Sequence, residues 1–129
     1  MTPSTQTGYL LFAHGSRAHA WRTPFDNMLK VARSRTSCPV ALAFLETMQP
    51  SLADGIQTLF EQGARRIVIT PIFLAAGNHI REDLPQLIRE AEQRLPGLRI
   101  EVQATIGENP LMQAAMVDYA LEQHALQRP

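Results

Sequence analysis

Short apolar runs recur along the chain and alternate with longer segments whose apolar residues repeat at helical spacing. The runs are brief and end at turn-forming residues, as the buried strands of a parallel sheet do. They predict four strands, over Tyr9–Ala13, Val40–Leu45, Arg66–Thr70 and Arg99–Ala104. The last alternates polar with apolar residues, which is typical of an edge strand half covered by water.

Four amphipathic helices are predicted between and after these strands. They are expected to begin at Thr23-Pro24, at Ser51, near Glu82-Asp83 with Pro85 just inside, and at Asn109-Pro110, and the first three to end at Ser37–Pro39, Gly63 and Pro96-Gly97. In the last helix Met112, Met116 and Tyr119 share one side. We expect that side to pack in the core.

The order of elements is therefore βαβαβαβα, which predicts a single α/β domain over residues 1–129. Right-handed local crossovers give a four-stranded parallel sheet with helices on both faces. The usual arrangement for so few strands is flavodoxin-like, with the spatial order 2-1-3-4. The topological switch point, where open α/β sheets bind their ligands, then lies between strands one and three.

Three side chains able to bind metal or transfer protons follow these strands. His14 comes after strand one, Glu46 after strand two, and His79 lies in the loop after strand three, with Gly77 as the flexible point of that loop. Because the carboxyl ends of parallel strands meet at one edge, we expect the three to converge there. A single loop histidine more often only bonds the backbone, but two in the same setting favour a site.

Composition narrows the range of partners. Twelve basic and twelve acidic side chains cancel, so we expect neither nucleic acid nor a membrane as a partner. One cysteine, Cys38, allows no internal disulfide and suits a reducing compartment. The first apolar run, Tyr9–Ala13, is too short for a signal or membrane segment, and we expect a cytoplasmic protein.

The candidate residues favour metal chemistry over other α/β functions. The chain has no Gly-x-Gly-x-x-Gly, no P-loop and no Gly-x-Ser-x-Gly elbow. Two imidazoles, from His14 and His79, suit a borderline divalent ion such as cobalt, iron, nickel or zinc. Two ligands are too few for a closed structural zinc site, so open positions remain, as a protein that hands the ion on requires. Neutral imidazole can also accept a proton.

Several short segments, each near the end of an expected element, form one ordered set that covers nearly the whole chain. They are Leu11–Arg17, Ala43–Glu46 with Pro50–Leu52, Gly63-Ala64, Pro71–Leu74, Gly77–Ile80, Asp83–Pro85, and Ile106-Gly107 with Asn109–Leu111. In this set the chain resembles the short, single-domain CbiX-type sirohydrochlorin chelatases, a branch of the class II chelatases. Their chelatase-like fold agrees with the predicted sheet.

The resemblance implies a lyase that inserts Co²⁺, Fe²⁺ or Ni²⁺ into sirohydrochlorin without ATP, in cobalamin or siroheme biosynthesis. The metal ion is then a substrate, and no organic cofactor is implied. The family's two metal-binding, proton-accepting histidines match His14 and His79, and its acidic residue after strand two matches Glu46. Long members carry two such domains around one cleft, so a homodimer is expected here.

A tetrapyrrole in this crevice would need cations for its carboxylate arms, and Arg17, Arg22 and Arg81 are the candidates. Ser16, Gly77 and Asn78 complete the expected substrate-binding set. Each arginine could equally be a solvated surface charge. Ser16 could equally serve as the cap of its own loop and have no contact with the substrate. Glu46 either orients a histidine or relays a proton, unless it is merely a surface acid.

Two other functions remain open at this stage. One is a non-catalytic carrier of tetrapyrrole or metal that uses the same pocket. The other is a small regulatory α/β module that binds a different anionic ligand. Turnover separates an enzyme from both, because a carrier stops at one equivalent.

Overall fold

A computed structural model describes residues 6–126, without the side chains of residues 79 and 123–126. Its sheet has four parallel strands, β1 (Thr7–Ala13), β2 (Val40–Phe44), β3 (Arg66–Pro71) and β4 (Arg99–Val102). Their spatial order is β2-β1-β3-β4, as the sequence predicts. In the register, Tyr9 lies between Val40 of β2 and Val68 of β3. The two central strands therefore have their carboxyl ends side by side.

Four helices connect or follow the strands: α1 (Thr23–Arg35), α2 (Leu52–Glu61), α3 (Asn78–Arg94) and α4 (Pro110–Leu126). Short 3₁₀ turns precede α1, at His19–Arg22, and α4, at Ile106–Glu108. The predicted cap of α2 is present, since the Ser51 hydroxyl accepts the Asp54 N–H at 3.2 Å. Within residues 6–126 none of the helices has the length and apolar character that crossing a bilayer requires.

The larger core lies between the sheet and the pair α2 and α3. Alternate side chains of the central strands enter it, and the helices cover them with aliphatic residues. Its members include Leu10, Phe12, Ile67 and Ile69 from the sheet and Ile56, Leu59, Leu84 and Ala91 from the helices. Because these residues are buried, the strand ends from which the loops at the carboxyl end of the sheet begin are held in place.

Within residues 6–126, a helix covers the opposite face only over β1 and β2. Helix α1, with Phe25 and Leu29, and the 3₁₀ turn before it, with Trp21, pack near Ala13, Leu42 and Phe44 over β1 and β2. Over β3 and β4 the same face carries polar pairs instead. The Arg66 guanidinium bonds both carboxylate oxygens of Glu101, and the Gln103 amide donates to Thr70 Oγ1 at 2.8 Å.

The prediction for the beginning of the third helix was wrong by about one turn. Helix α3 begins at Asn78, with Gly77 at its N-cap, so Pro85 lies inside the helix. The extra turn brings Ile80 into the core beside Leu84, extending the buried stripe. The helix accommodates Pro85, which has no N–H to donate, and gains the burial of Ile80 by beginning earlier. His79 therefore stands in the first turn of α3 and not in a loop.

The beginning of the first helix also differs slightly. Thr23 is the first helical residue, and the cap position belongs to Arg22, which makes no side-chain capping bond. The 3₁₀ turn before it already has helical dihedral angles at Arg22, so the chain enters α1 wound and needs no capping hydroxyl.

The predicted packing of α4 was wrong. The helix does begin as predicted, because Asn109 Oδ1 accepts the N–H groups of Leu111 and Met112 at 2.8 and 3.4 Å. Its described side chains, however, are all exposed, including those of Met112, Met116 and Tyr119. Apolar residues occupy all sides of the helix, so no single face directs it onto the sheet.

Candidate active site

Three neighbouring strands, β2, β1 and β3, are followed by loops that meet at the carboxyl end of the sheet. These loops enclose an open cleft of about 450 Å³. His14, after β1, and Glu46, after β2, line it together with apolar residues of the third loop and of α3. The apolar lining residues are Leu45, Phe73, Leu74, Ala75 and Ile80, with Gly77 at the edge. This is the switch-point position where α/β sheets bind ligands.

Main-chain contacts fasten the segment of His14 to that of Glu46. The Glu46 N–H donates to the His14 carbonyl at 3.2 Å, and the Leu45 N–H donates to the Ala13 carbonyl at 2.9 Å. Between them Gly15 has a φ of +98°, and a Cβ there would overlap the Glu46 carbonyl oxygen. Only glycine meets both demands, so Gly15 holds the two candidate side chains at one end of the cleft.

The imidazole of His14 has an aromatic support. It is exposed to the cleft and meets the ring of Phe73 edge to face, with 5.8 Å between ring centroids. Phe73 in turn meets the fully buried Phe12 in the same manner at 5.7 Å. Such aromatic contacts favour one orientation. The imidazole is thus held from one side and open on the other.

Strain marks the loop next to Glu46. Thr47 has a φ of +72°, a left-handed conformation that a β-branched residue rarely adopts and that costs about 1–3 kcal/mol. Two hydrogen bonds hold the loop in this conformation. The Met48 N–H donates to the Glu46 carbonyl at 2.7 Å, and Arg22 Nη1 donates to the Gln49 carbonyl at 2.7 Å. Backbone strain of this kind is concentrated at functional sites.

The backbone of His79 lies at the beginning of α3, between two residues that line the cleft, Gly77 and Ile80. Its side chain lies outside the described part of the structure, so the expected meeting of the two imidazoles remains a prediction. Among the described side chains, no group of three His, Cys, Asp or Glu is arranged to hold a metal ion.

The role expected for Gly77 as a flexible point finds no support in its conformation. Its φ of −78° is one that any residue adopts, and a Cβ there would meet nothing within 4 Å. Asn78, the first residue of α3, is exposed at the same edge of the cleft. Both residues are close enough to the cleft to stay candidates for substrate contact.

Ser16 and Arg17 line a neighbouring hollow of about 440 Å³, beside Thr47. The Ser16 hydroxyl accepts the Ala18 N–H at 3.0 Å, which is the loop-capping contact considered above. Arg17 is exposed there. This hollow and the cleft are adjacent through the Gly15 and Glu46 backbones, so a large flat ligand could extend over both.

Two of the expected arginines already have partners, although Arg22 also lines the hollow of Ser16 and Arg17. Arg22 binds the Asp26 carboxylate at 3.1 Å and the Gln49 carbonyl, and its guanidinium lies 4.8 Å from the centre of the Phe44 ring. Arg81 faces the groove between α3 and β4, where it pairs with Glu108 at 3.5 Å. Arg22 thus supports the loop after β2, and Arg17 is the arginine beside the cleft that these contacts leave.

Sequence reasoning assigned no role to Gly15 and Phe73, which shape the site, or to Gly107, whose N–H donates to the Phe73 carbonyl at 2.8 Å. All lie within the segments that carry the family resemblance, but their roles depend on contacts between distant loops. The one local signal was a glycine directly after the candidate histidine, since glycine often permits close approach of two backbones.

Comparison with known proteins decides the family. A model of the CbiX family matches residues 8–123, nearly the whole chain. The chain belongs to the CbiX family. Among solved structures, a CbiX protein from Marinobacter aquaeolei has 30 % sequence identity and a TM-score of 0.82, over 94 % of this chain and 99 % of that one.

Other relatives are matched over only about half of their own length. SirB from Bacillus subtilis, a sirohydrochlorin chelatase solved in complex with cobalt, has 26 % identity and a TM-score of 0.78, over 93 % of this chain and 51 % of its own. A chloroplastic sirohydrochlorin ferrochelatase of Arabidopsis thaliana is 29 % identical over 81 % of this chain and 47 % of its own. A sirohydrochlorin cobaltochelatase of Methanothermobacter thermautotrophicus is 33 % identical over 63 % and 57 %. The chain thus spans about half the length of these relatives.

Proposed function

We propose that this protein inserts a divalent metal ion, Co²⁺, Fe²⁺ or Ni²⁺, into sirohydrochlorin without ATP. The observation that carries the proposal is the position of His14, exposed to an open cleft beside Glu46 at the switch point of the sheet. Membership in the CbiX family and the names of the relatives supply the substrate class. The lone Cys38 and the balanced charge agree with the cytoplasm as its compartment.

Insertion exchanges two pyrrole protons for one divalent ion. The macrocycle lies across the cleft, and His14 and His79 present the ion to one face of the ring. Imidazole suits this transfer because it binds Co²⁺, Fe²⁺ and Ni²⁺ and, when neutral, accepts a proton. As each nitrogen–metal bond forms, a histidine nitrogen that loses the metal becomes free to take a pyrrole proton.

Glu46 is proposed to orient a histidine or to pass protons to solvent, since its carboxylate is exposed at the same cleft. Arg17 and Ser16, in the adjoining hollow, are proposed to hold carboxylate arms of the substrate. Gly77 and Asn78 would contact the macrocycle at the other edge. Arg81 would have to leave Glu108 to take part.

We further propose that the working form is a homodimer. The cleft offers one wall for a flat macrocycle, and the chain covers about half of SirB. A second copy would supply the other half by a two-fold contact. The exposed apolar helix α4 is the proposed contact, because the groove along it, lined by Met112 and Met116, reaches Leu74 at the rim of the cleft.

The test is a turnover assay with purified protein, metal-free sirohydrochlorin and each ion in turn, under anaerobic conditions. Product is followed by absorbance against the spontaneous rate without protein. An enzyme converts many equivalents of macrocycle. A product yield that stops at one equivalent per protomer would instead indicate a carrier, and the ion with the highest kcat/KM would indicate the preferred metal.

A further inference from the structure

The turn between β4 and α4, Ile106–Glu108, packs under the candidate site. Its middle residue, Gly107, is buried, and its N–H donates to the Phe73 carbonyl at 2.8 Å. Phe73 belongs to the loop after β3, more than thirty residues earlier in the chain. A main-chain bond therefore fixes the height of this loop above the sheet.

Close packing makes glycine necessary at this position. A Cβ on Gly107 would overlap the carbonyl group and Cα of Leu74. These are backbone atoms, which cannot rotate away as the end of a side chain can. Any larger residue would push the loop of Phe73 and Leu74 away from the turn. The space, not the backbone angles, sets the requirement.

The loop that Gly107 fixes carries the support of His14. The Phe73 ring fills the space between buried Phe12 and the His14 imidazole, edge to face with both. Moving the Phe73 backbone displaces this ring from its contacts with Phe12 and His14, because the ring is attached to that backbone through Cβ. The orientation of the His14 imidazole thus depends on contacts made at Gly107.

The same turn also reaches the helix that carries His79. Glu108, next to Gly107, pairs with Arg81 in the first two turns of α3 at 3.5 Å. Both partners are exposed, so the pair contributes little to stability by itself. One short turn therefore contacts both the loop after β3 and the helix that carries His79, and it reaches His14 only through the Phe73 ring.

We infer that Gly107 is a positioning residue for His14, a proposed metal ligand, and that it acts through Phe73. The inference rests on the proposed function for its consequence in metal binding, but the positioning of the imidazole can be measured without metal. Groups that orient a metal ligand typically change affinity by about 10- to 100-fold when lost.

The experiment compares Gly107→Ala with Gly97→Ala in the full chain. Gly97, in the turn between α3 and β4 at the opposite end of the sheet, has a φ of +89° and open space around it, so alanine there strains the backbone without touching the site. Two quantities are measured well below the melting temperature. One is the imidazole NMR signals of His14, identified with His14→Ala among four histidines; the other is the Kd for Co²⁺ without macrocycle.

We expect Gly107→Ala to shift or broaden the His14 signals and to weaken Co²⁺ binding by about 10-fold or more. Gly97→Ala should lower the melting temperature yet leave both quantities as in the wild type. Equal His14 signals and equal Kd in the two variants would overturn the inference. Shifted signals in a protein whose wild type binds no Co²⁺ would keep the positioning and refute the proposed function.

Phe73→Leu gives a second route if Gly107→Ala does not fold. It keeps the Gly107 bond, which uses only the backbone of residue 73, and removes the aromatic edge beside His14. The His14 signals and the Co²⁺ affinity should change as they do in Gly107→Ala. Unchanged values in a folded Phe73→Leu protein would also overturn the inference, because the ring would then carry no positional information.

Discussion

Two regions of this molecule are exposed for opposite reasons. At the cleft, the polar side chains of His14 and Glu46 are exposed among apolar lining residues, and a dense set of main-chain bonds and close glycine contacts fixes the backbone beneath them. Along α4, the backbone is a regular helix, while the exposed groups are apolar and include Leu111, with 76 % of its surface open, and Tyr119. The cleft thus has a fixed backbone that presents reactive side chains, and α4 has an apolar surface that nothing described in the chain covers.

The difference indicates what kind of partner each region is suited to bind. Polar groups on a fixed backbone lose little conformational entropy when a ligand binds. Catalysis requires groups that are held in position in this way. A helix that is apolar all round is stable only when buried, and contiguous apolar patches mark interaction sites. The cleft therefore fits a small substrate and α4 fits a protein surface. The following predictions are arranged to break or sharpen this contrast.

The largest effect is expected at the cleft. His14→Ala and His79→Ala should each lower metal insertion by about 10²- to 10⁴-fold, the usual contribution of a proton-transferring group, and the loss of a metal ligand adds to it. Because His14 is exposed, the free energy of unfolding of His14→Ala should stay within about ±0.5 kcal/mol of the wild type. Turnover and urea denaturation measure the two quantities.

His19→Ala is the matched control for these two variants. His19 is exposed in the 3₁₀ turn before α1, where it lines the hollow of Ser16 and Arg17 but not the cleft itself. Because His19 is not a proposed metal ligand, this variant should keep the kcat of the wild type, and any loss should appear in KM. Wild-type turnover in His14→Ala or in His79→Ala would disprove the shared site.

The next effect concerns the uncovered helix. Met116→Glu introduces a charge at a site that is 42 % exposed in the single chain and buried in the proposed dimer. We expect the mass in light scattering to fall from twice 14.4 kDa to 14.4 kDa, and insertion to fall with it. The helix content by circular dichroism should not change, because no intrachain packing is lost.

Val31→Glu provides the comparison, since it makes the same kind of change at a 47 % exposed site on α1. The mass and turnover of this variant should match the wild type. A wild-type protein that is monomeric at micromolar concentration and still turns over would refute the dimer, and a dimeric Met116→Glu would refute α4 as its contact.

The sheet could be predicted from the sequence because each strand is fixed by local signals. Val40 begins β2 directly after a proline, and Pro71 ends β3, so the apolar runs have clear limits. Right-handed crossovers then leave few strand orders. The positions of His14 and Glu46 at one cleft follow from that order alone.

What the sequence did not predict depends on contacts between distant residues. The first turn of α3 forms because Ile80 finds the core, against the local signals of Pro85. The exposure of α4 depends on what the sheet offers it, and its apolar residues by themselves predict burial. Phe73 and Gly107 meet only in the folded chain, so their role had no signal in sequence spacing.

A smaller effect distinguishes the groups at the cleft from each other. Neutral imidazole binds both metal and protons, so the acid limb of the rate profile should move to lower pH, by up to about one pH unit for each tenfold rise in metal concentration. Glu46→Gln should lower the rate but keep this shift. A limb that ignores metal concentration and vanishes in Glu46→Gln would assign the central role to Glu46.

The smallest effect is expected at a third exposed region, the ion pair of Arg66 and Glu101 on the open half of the sheet. Two hydrogen bonds from the Arg66 guanidinium, with its charge, lower the pKa of the Glu101 carboxyl. A lowered pKa in the folded state stabilises the fold at neutral pH, and this contribution is lost as the pH falls through the folded-state value. Glu101→Gln should therefore unfold at a slightly lower urea concentration than the wild type at pH 7, and the difference should shrink in acid and in high salt, because the pair is exposed and screened.

The control is Glu61→Gln, an exposed glutamate bound by the Gln57 amide, which should show no such dependence on pH or salt. A large difference that persists in 1 M salt would show that this face is covered in solution, and the contrast would then extend from α4 to the sheet beside it.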